Sequence, residues 1–153
     1  MTPKIIAYTD GGSRNNPGAA GSGAYIIDAE GNVLKKAWRA LGVATNNVAE
    51  YTAVILALEE IKKLVPEAAR KDAEIEIRMD SELVCRQMMG RYKIKAPGLK
   101  PLYADVRNLI IDFPKTKFVH VRRELNKDAD ALSNVAMDES EKMLASAKEG
   151  LFK

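Results

Sequence analysis

The stretch EIEIRMD at residues 74–80 alternates strictly between polar and apolar side chains, which is the two-residue period of a strand. It lies between two stretches of helical period. Upstream, from Val48 to Leu64, the apolar residues Val54, Leu58 and Ile61 recur at four- and three-residue steps, with Glu59, Glu60, Lys62 and Lys63 on the other side. Asn46 or Asn47 can cap this helix, and Pro66 stands just beyond it. Downstream, SELVCRQMM reads as helical, and a further helix is predicted over about residues 102–111, with Leu102, Val106, Leu109 and Ile110 as its stripe. A strand entered and left through helices belongs to a crossover, which fits a parallel neighbour.

The first forty residues have a different character. KIIAYTD at residues 4–10 is a short β-rich run, and GGSRNNPG after it reads as a turn. Two more extended stretches, residues 21–27 and 33–41, flank the loop DAEGN, so an antiparallel meander of three strands is expected. A fifth strand is predicted over residues 117–121, and Asn126 opens a last helix through Ala136. The order β-β-β-α-β-α-β-α implies an α/β fold with a five-stranded mixed sheet, antiparallel first and then parallel, flanked by helices. At 153 residues the chain suits one core. Residues 138–153 are expected to form a separate helical tail, docked through Met143, Leu144, Leu151 and Phe152.

Apolar residues at 46% and charged residues at 29% exclude disordered, collagenous and coiled-coil classes. The net charge of +3 is too small to announce a nucleic-acid protein by itself. One cysteine, Cys85, allows no internal disulfide and reads as a buried thiol in a reducing setting. No stretch is apolar enough to span a membrane, so a soluble cytoplasmic protein, working as a monomer, is expected.

Four acids come from four places: Asp10 and Asp80 end apolar strands that would be neighbours, and Glu50 and Asp130 lie in the first turns of two helices. Taken singly, each is accounted for by a helix dipole or a strand-end turn. In crossover topology, however, such positions converge at one sheet edge, where α/β sheets place their ligands. Like charges gathered there must hold protons or bind a cation. Oxygen ligands without Cys or His suit Mg²⁺ or Mn²⁺, and two such ions support phosphodiester hydrolysis.

YTDGGSRNNPG at 8–18, TNNVAEYTAVILAL at 45–58, IRMDSELV at 77–84 and VRRELNKDADALSNVAM at 121–137 together resemble type 1 ribonuclease H, in order and at suitable spacings. The resemblance implies a catalytic domain over residues 1–137 that cleaves the RNA strand of RNA/DNA hybrids with Mg²⁺, or Mn²⁺ in its place, leaving 5′-phosphate and 3′-hydroxyl ends. It implies Asp10, Glu50, Asp80 and Asp130 as catalytic metal ligands. Asp130 is preferred over Asp128 because it falls in the frame D-x-L-x-x-x-A, here DALSNVA. Asn16, Asn46 and Asn47 match positions that touch the hybrid's minor groove, where the 2′-hydroxyl marks RNA. Thr45 matches a position that holds a DNA-strand phosphate, and Gly11 is placed with these as a substrate-binding residue. Double-stranded RNA is a further candidate substrate.

Two departures stand out. Where many members carry a loop histidine before the last helix, this chain has Arg123 and Glu124, and Glu124 is the candidate auxiliary residue; His120 lies in the fifth strand instead. The basic handle of some members is absent, yet Arg86, Arg91, Lys93, Lys95, Lys100 and Arg107 form one basic group and Lys115, Lys117, Arg122, Arg123 and Lys127 another. Both flank the expected site and suit phosphates. Trp38 and the tyrosines are expected in the core or at an edge. The competing readings are a non-catalytic binding module and a domain of a reverse transcriptase; all four acids speak against the first, and Met1 just before the first strand and the tail after Met137 against the second.

Overall fold

In the computed structural model, which describes residues 2–151, strand β1 (Lys4–Arg14) runs through the centre of the sheet. It pairs antiparallel with β2 (Gly18–Asp28), which pairs antiparallel with β3 (Val33–Ala44). On its other side β1 lies parallel to β4 (Glu74–Met79), and β4 lies parallel to β5 (Thr116–His120). The sheet order is therefore β3-β2-β1-β4-β5, the mixed arrangement expected. Helix α1 (Asn46–Leu64) joins β3 to β4, α2 (Glu82–Met88) and α3 (Lys100–Ile111) join β4 to β5, and α4 (Lys127–Leu151) follows β5.

The first hairpin is longer than the sequence suggested. GGSR does not turn but continues β1, with Gly11 opposite Ser22 and Arg14 opposite Ala19, and only residues 15–17 form the turn. Asn15 takes φ 66° there, a left-handed backbone that asparagine tolerates. Asp10 thus lies inside β1, opposite Gly23, although β4 stops pairing at Thr9 and Met79.

Alternation along β1 and β2 sorts side chains between two helical layers. Ile5 and Ala7 of β1 join Ala24 and Ile26 of β2 in the core with α1, whose Tyr51, Val54, Leu58 and Ile61 are fully buried. Each such side chain contributes roughly 1.5–3 kcal/mol of transfer free energy. The opposite face of β2 is stripped of side chains. A Cβ on Gly21 would come within 2.4 Å of the Ala136 Cβ, and one on Gly23 within 2.6 Å of the Ser133 nitrogen, so these glycines let α4 lie on the backbone of the sheet.

Two local expectations are corrected. Thr45, not Asn46 or Asn47, caps α1: its hydroxyl oxygen accepts from the Val48 N–H at 3.2 Å, because the extended backbone of Thr45 aims the hydroxyl at that donor. The last helix does not stop at Ala136 but continues as one element, so a boundary at residue 137 falls inside α4. Met143 and Leu144 do not dock it, since both are exposed; Phe152 and the side chain of Leu151 lie outside the described residues. The anchor is polar. The buried Ser140 hydroxyl donates to the Ala20 carbonyl at 2.6 Å and accepts from the Leu41 and Gly42 N–H groups, while Arg14 pairs with Asp138 and Glu141. Trp38 sits on the edge strand β3, 44% exposed, and its indole N–H donates to Glu139. Cys85 is buried.

Candidate functional site

Strands β1 and β4 end their parallel ladder at Thr9 and Met79, and the next residue of each is an aspartate. Asp10 and Asp80 are therefore delivered side by side at one sheet edge. Glu50 lies just past the first turn of α1, not within it as expected, and reaches this edge because Gly11 lets the helix approach there: a Cβ on Gly11 would lie 2.3 Å from the Ala49 carbonyl and 2.5 Å from the Glu50 nitrogen. Asp130 arrives from the first turn of α4, on the other layer.

All four line one cleft of about 530 Å³, together with Gly11, Gly12, Asn46, Asn47, Arg123, Ser133 and Met137. Burial pushes Asp10 up from 3.8 to about 8, reinforced by the charge of Asp80, a hydrogen bond with Asp130 and the charges of Asp130 and Glu50. Burial also raises Glu50 from 4.5 to about 7; a hydrogen bond from Ser81 opposes the rise, Asp80 adds to it, and Arg123 opposes it. The Ser133 hydroxyl lies 3.2 Å from Asp10 Oδ2 and 2.8 Å from the Asp130 carbonyl. Buried Asn126 holds Asp80: its amide nitrogen donates to Asp80 Oδ2 at 3.2 Å and to the Thr9 carbonyl at 2.9 Å.

The donor set is hard oxygen, with no Cys or His among the lining residues, which suits Mg²⁺ or Mn²⁺. The raised pKa of Asp10, which burial and the neighbouring acids cause, is the repulsion that a bound cation would relieve. Among the described residues, no group of three or more Asp, Glu, His or Cys side chains is arranged to hold a metal ion. The acids share a cleft and a field rather than a closed cage, which leaves room for waters and phosphate oxygens on the ion.

The other expected residues divide. Asn46 and Asn47 line the cleft, and the Asn46 side chain also accepts from the Ser13 N–H at 2.7 Å. Asn16 Oδ1 accepts from the Asn46 N–H at 3.0 Å, so it supports the cleft rim without lining the cleft. Thr45 is exposed at the helix cap, outside the lining. Asp128 and Glu124 are exposed and line no part of the cleft, whereas Arg123 does. His120 sits at the end of β5, its Nε2 3.2 Å from the Asp80 carbonyl oxygen. In the first basic group, Arg91, Lys93 and Lys100 line a second, open pocket with Tyr92 and Tyr103, while Arg86 is paired with Glu82. Sequence reasoning missed Asn126 and Ser133 as members of the site. Their signal was available, because both lie within one helical turn of Asp130.

Known proteins match this layout. A family described as reverse transcriptase-like matches residues 8–136. A bifunctional protein of Mycobacterium tuberculosis is 44% identical over 137 residues; the match covers 88% of this chain but 36% of that protein, so the chain spans about a third of its length. A ribonuclease H of Ruthia magnifica subsp. Calyptogena magnifica is 36% identical, with 88% of this chain and 96% of the relative covered. Among solved structures, a ribonuclease H1 isolated from compost by a metagenomic approach superposes with a TM-score of 0.84 at 48% identity, covering 92% of this chain and 99% of that one. The same enzyme has been solved with an RNA/DNA hybrid, and that structure matches with a TM-score of 0.83 at 47% identity, covering 89% and 98%. By sheet order, by the placement of the acids and by these near-complete matches, the chain belongs to the type 1 ribonuclease H family.

Proposed function

We propose that the chain is an endoribonuclease that hydrolyses the RNA strand of RNA/DNA hybrids, leaving 5′-phosphate and 3′-hydroxyl ends. One observation carries this reading: four carboxylates from four separate elements line a single cleft, and their burial and mutual repulsion lift Asp10 and Glu50 toward neutral pKa values. The related enzyme solved with a hybrid supports the substrate class. Mg²⁺, with Mn²⁺ as a substitute, is the cofactor that the oxygen donors fit.

Asp10, Glu50, Asp80 and Asp130 would hold the metal. When bound as a pair, such ions activate a water and stabilise the leaving oxygen of a phosphodiester. The chain's own residues do the rest. Asn46 and Asn47, at the cleft beside α1, present amides to the minor groove and can read the 2′-hydroxyl that DNA lacks. Thr45 and Asn16 brace this rim, and Thr45 takes a DNA-strand phosphate in this reading. Arg123 brings a positive charge to the cleft, where it attracts phosphate and partly offsets the rise of the Glu50 pKa. Glu124 remains the candidate auxiliary group. The catalytic unit extends beyond residue 137 to at least Ser140, whose hydroxyl pins α4 to the sheet. Residues 138–141 then form its docked end, and the protein works as a cytoplasmic monomer.

The test is cleavage of matched hybrid, double-stranded RNA and single-stranded RNA with Mg²⁺, Mn²⁺ or a chelator. The hybrid's RNA strand is expected to be cut with either metal and to survive in chelator. Metal-independent cleavage, or equal cleavage of all three substrates, refutes the proposal.

A further inference from the structure

Asn126 is the residue just before α4, and its side chain is fully buried. Its amide nitrogen donates to two acceptors on neighbouring strand ends, the Thr9 carbonyl of β1 at 2.9 Å and Asp80 Oδ2 at 3.2 Å. Its backbone carbonyl accepts from the Asp130 N–H at 3.0 Å, and its own N–H donates to the Arg123 carbonyl at 3.0 Å. One residue thus bridges the elements that carry Asp10, Asp80 and Asp130, and it touches the loop that carries Arg123.

The amide can face only one way. Turned over, its oxygen would meet the Thr9 carbonyl and the Asp80 carboxylate, both acceptors, so the nitrogen must point toward them. That choice leaves Asn126 Oδ1 buried with no partner, the single such side-chain atom among the described residues. An orphaned buried carbonyl is costly. An apolar side chain at this place would remove that orphan but would also strip the Thr9 carbonyl and Asp80 Oδ2 of their donor, so what the amide supplies is the bridge between the two strand ends.

We infer that Asn126 is a positioning residue: by holding Oδ2 of Asp80 against the end of β1, it presents the other carboxylate oxygen to the cleft in the orientation that a divalent cation requires. It does not touch the hybrid, because it is fully buried. The inference rests on the reading of Asp80 as a metal ligand. Partners that orient a metal's ligands typically support about 10–100-fold in metal affinity.

The test compares Asn126→Ala, Asn126→Leu and Asp80→Asn with the parent. Mn²⁺ affinity is measured by calorimetry, unfolding by thermal melts in chelator, and the Michaelis constant by hybrid cleavage at saturating metal. Both Asn126 variants are expected to bind Mn²⁺ at least tenfold more weakly, with the Michaelis constant for hybrid changed less than about twofold. Mn²⁺ affinity within about twofold of the parent in the Asn126 variants, with Asp80→Asn clearly impaired, overturns this inference alone. If Asp80→Asn also binds Mn²⁺ normally, the metal-ligand reading of Asp80 itself fails. If neither Asn126 variant folds, the residue is structural and the inference falls.

Discussion

Replacing Asp10 by Asn removes a proposed metal ligand and yet should stabilise the metal-free protein. Asp10 titrates near 8 in the fold against 3.8 in an unperturbed carboxylate. Between those pH values the folded protein holds a proton that the unfolded chain has released, so stability falls as pH rises through this window and levels off above the folded pKa. A span of about four pH units at 1.36 kcal/mol each sets a ceiling of about 5–6 kcal/mol. The repulsion is shared with Asp80, Asp130 and Glu50, so a single substitution recovers on the order of 2–4 kcal/mol, or roughly 5–12 °C in Tm. Asparagine also keeps the shape, can accept from Ser133 and can donate to Asp130. The assay is thermal unfolding by circular dichroism in chelator at pH 8 and pH 4. Asp10→Asn should melt above the parent at pH 8, with the gap largely closed at pH 4, where the folded carboxyl is protonated and the unfolded one is close to half protonated. Mg²⁺ should narrow the gap at pH 8 by stabilising the parent. A variant no more stable than the parent at pH 8 in chelator would refute the electrostatic reasoning.

Gly21→Ala should cost about 1–3 kcal/mol in denaturant unfolding, because the added methyl meets Ala136 at 2.4 Å and α4 must shift. Ser140→Ala should cost about 1–3 kcal/mol in the same measurement, since it leaves the Ala20 carbonyl without its hydroxyl donor and the Leu41 and Gly42 N–H groups without their acceptor. Hybrid affinity, measured by fluorescence anisotropy in Ca²⁺ to suppress cleavage, should fall more than about tenfold between low and moderate salt; a flat profile would rule out phosphate neutralisation by the two basic groups. Arg123→Ala should move the acidic limb of the pH–rate profile upward, because the arginine holds Glu50 down, whereas Glu124→Gln should lower activity by more than about tenfold, and a smaller loss would argue against its auxiliary role.

Elements governed by a single period were legible in the sequence. The strict alternation of residues 74–80 and the helical spacing of Val54, Leu58 and Ile61 mark β4 and α1 because the residues that set each period, Ile75, Ile77 and Met79 in one and Val54, Leu58 and Ile61 in the other, lie in the core. The four acids were legible because β1 and β4 end their ladder one residue before Asp10 and Asp80. The extent of β1 was not. GGSR has the composition of a turn, and it is held extended only by β2, so the deciding contact lies across the hairpin. The same holds for Gly21 and Gly23, whose bare face is explained by a helix more than a hundred residues away. Asn126 looked like an ordinary helix opener, and its bonds to Thr9 and Asp80 depend on tertiary placement. The length of α4 was misjudged because its second half is held by one serine and by ion pairs rather than by an apolar stripe.

Ser140 sits about ten residues beyond Asp130, some 15 Å along the same rod. A beam clamped at both ends resists tilting far better than one fixed at its root, so the hydroxyl on the distal clamp helps set the aim of a carboxylate it never meets. Shortening the chain before that clamp would let the acid swing, whereas a fusion joined after residue 150 would leave it undisturbed.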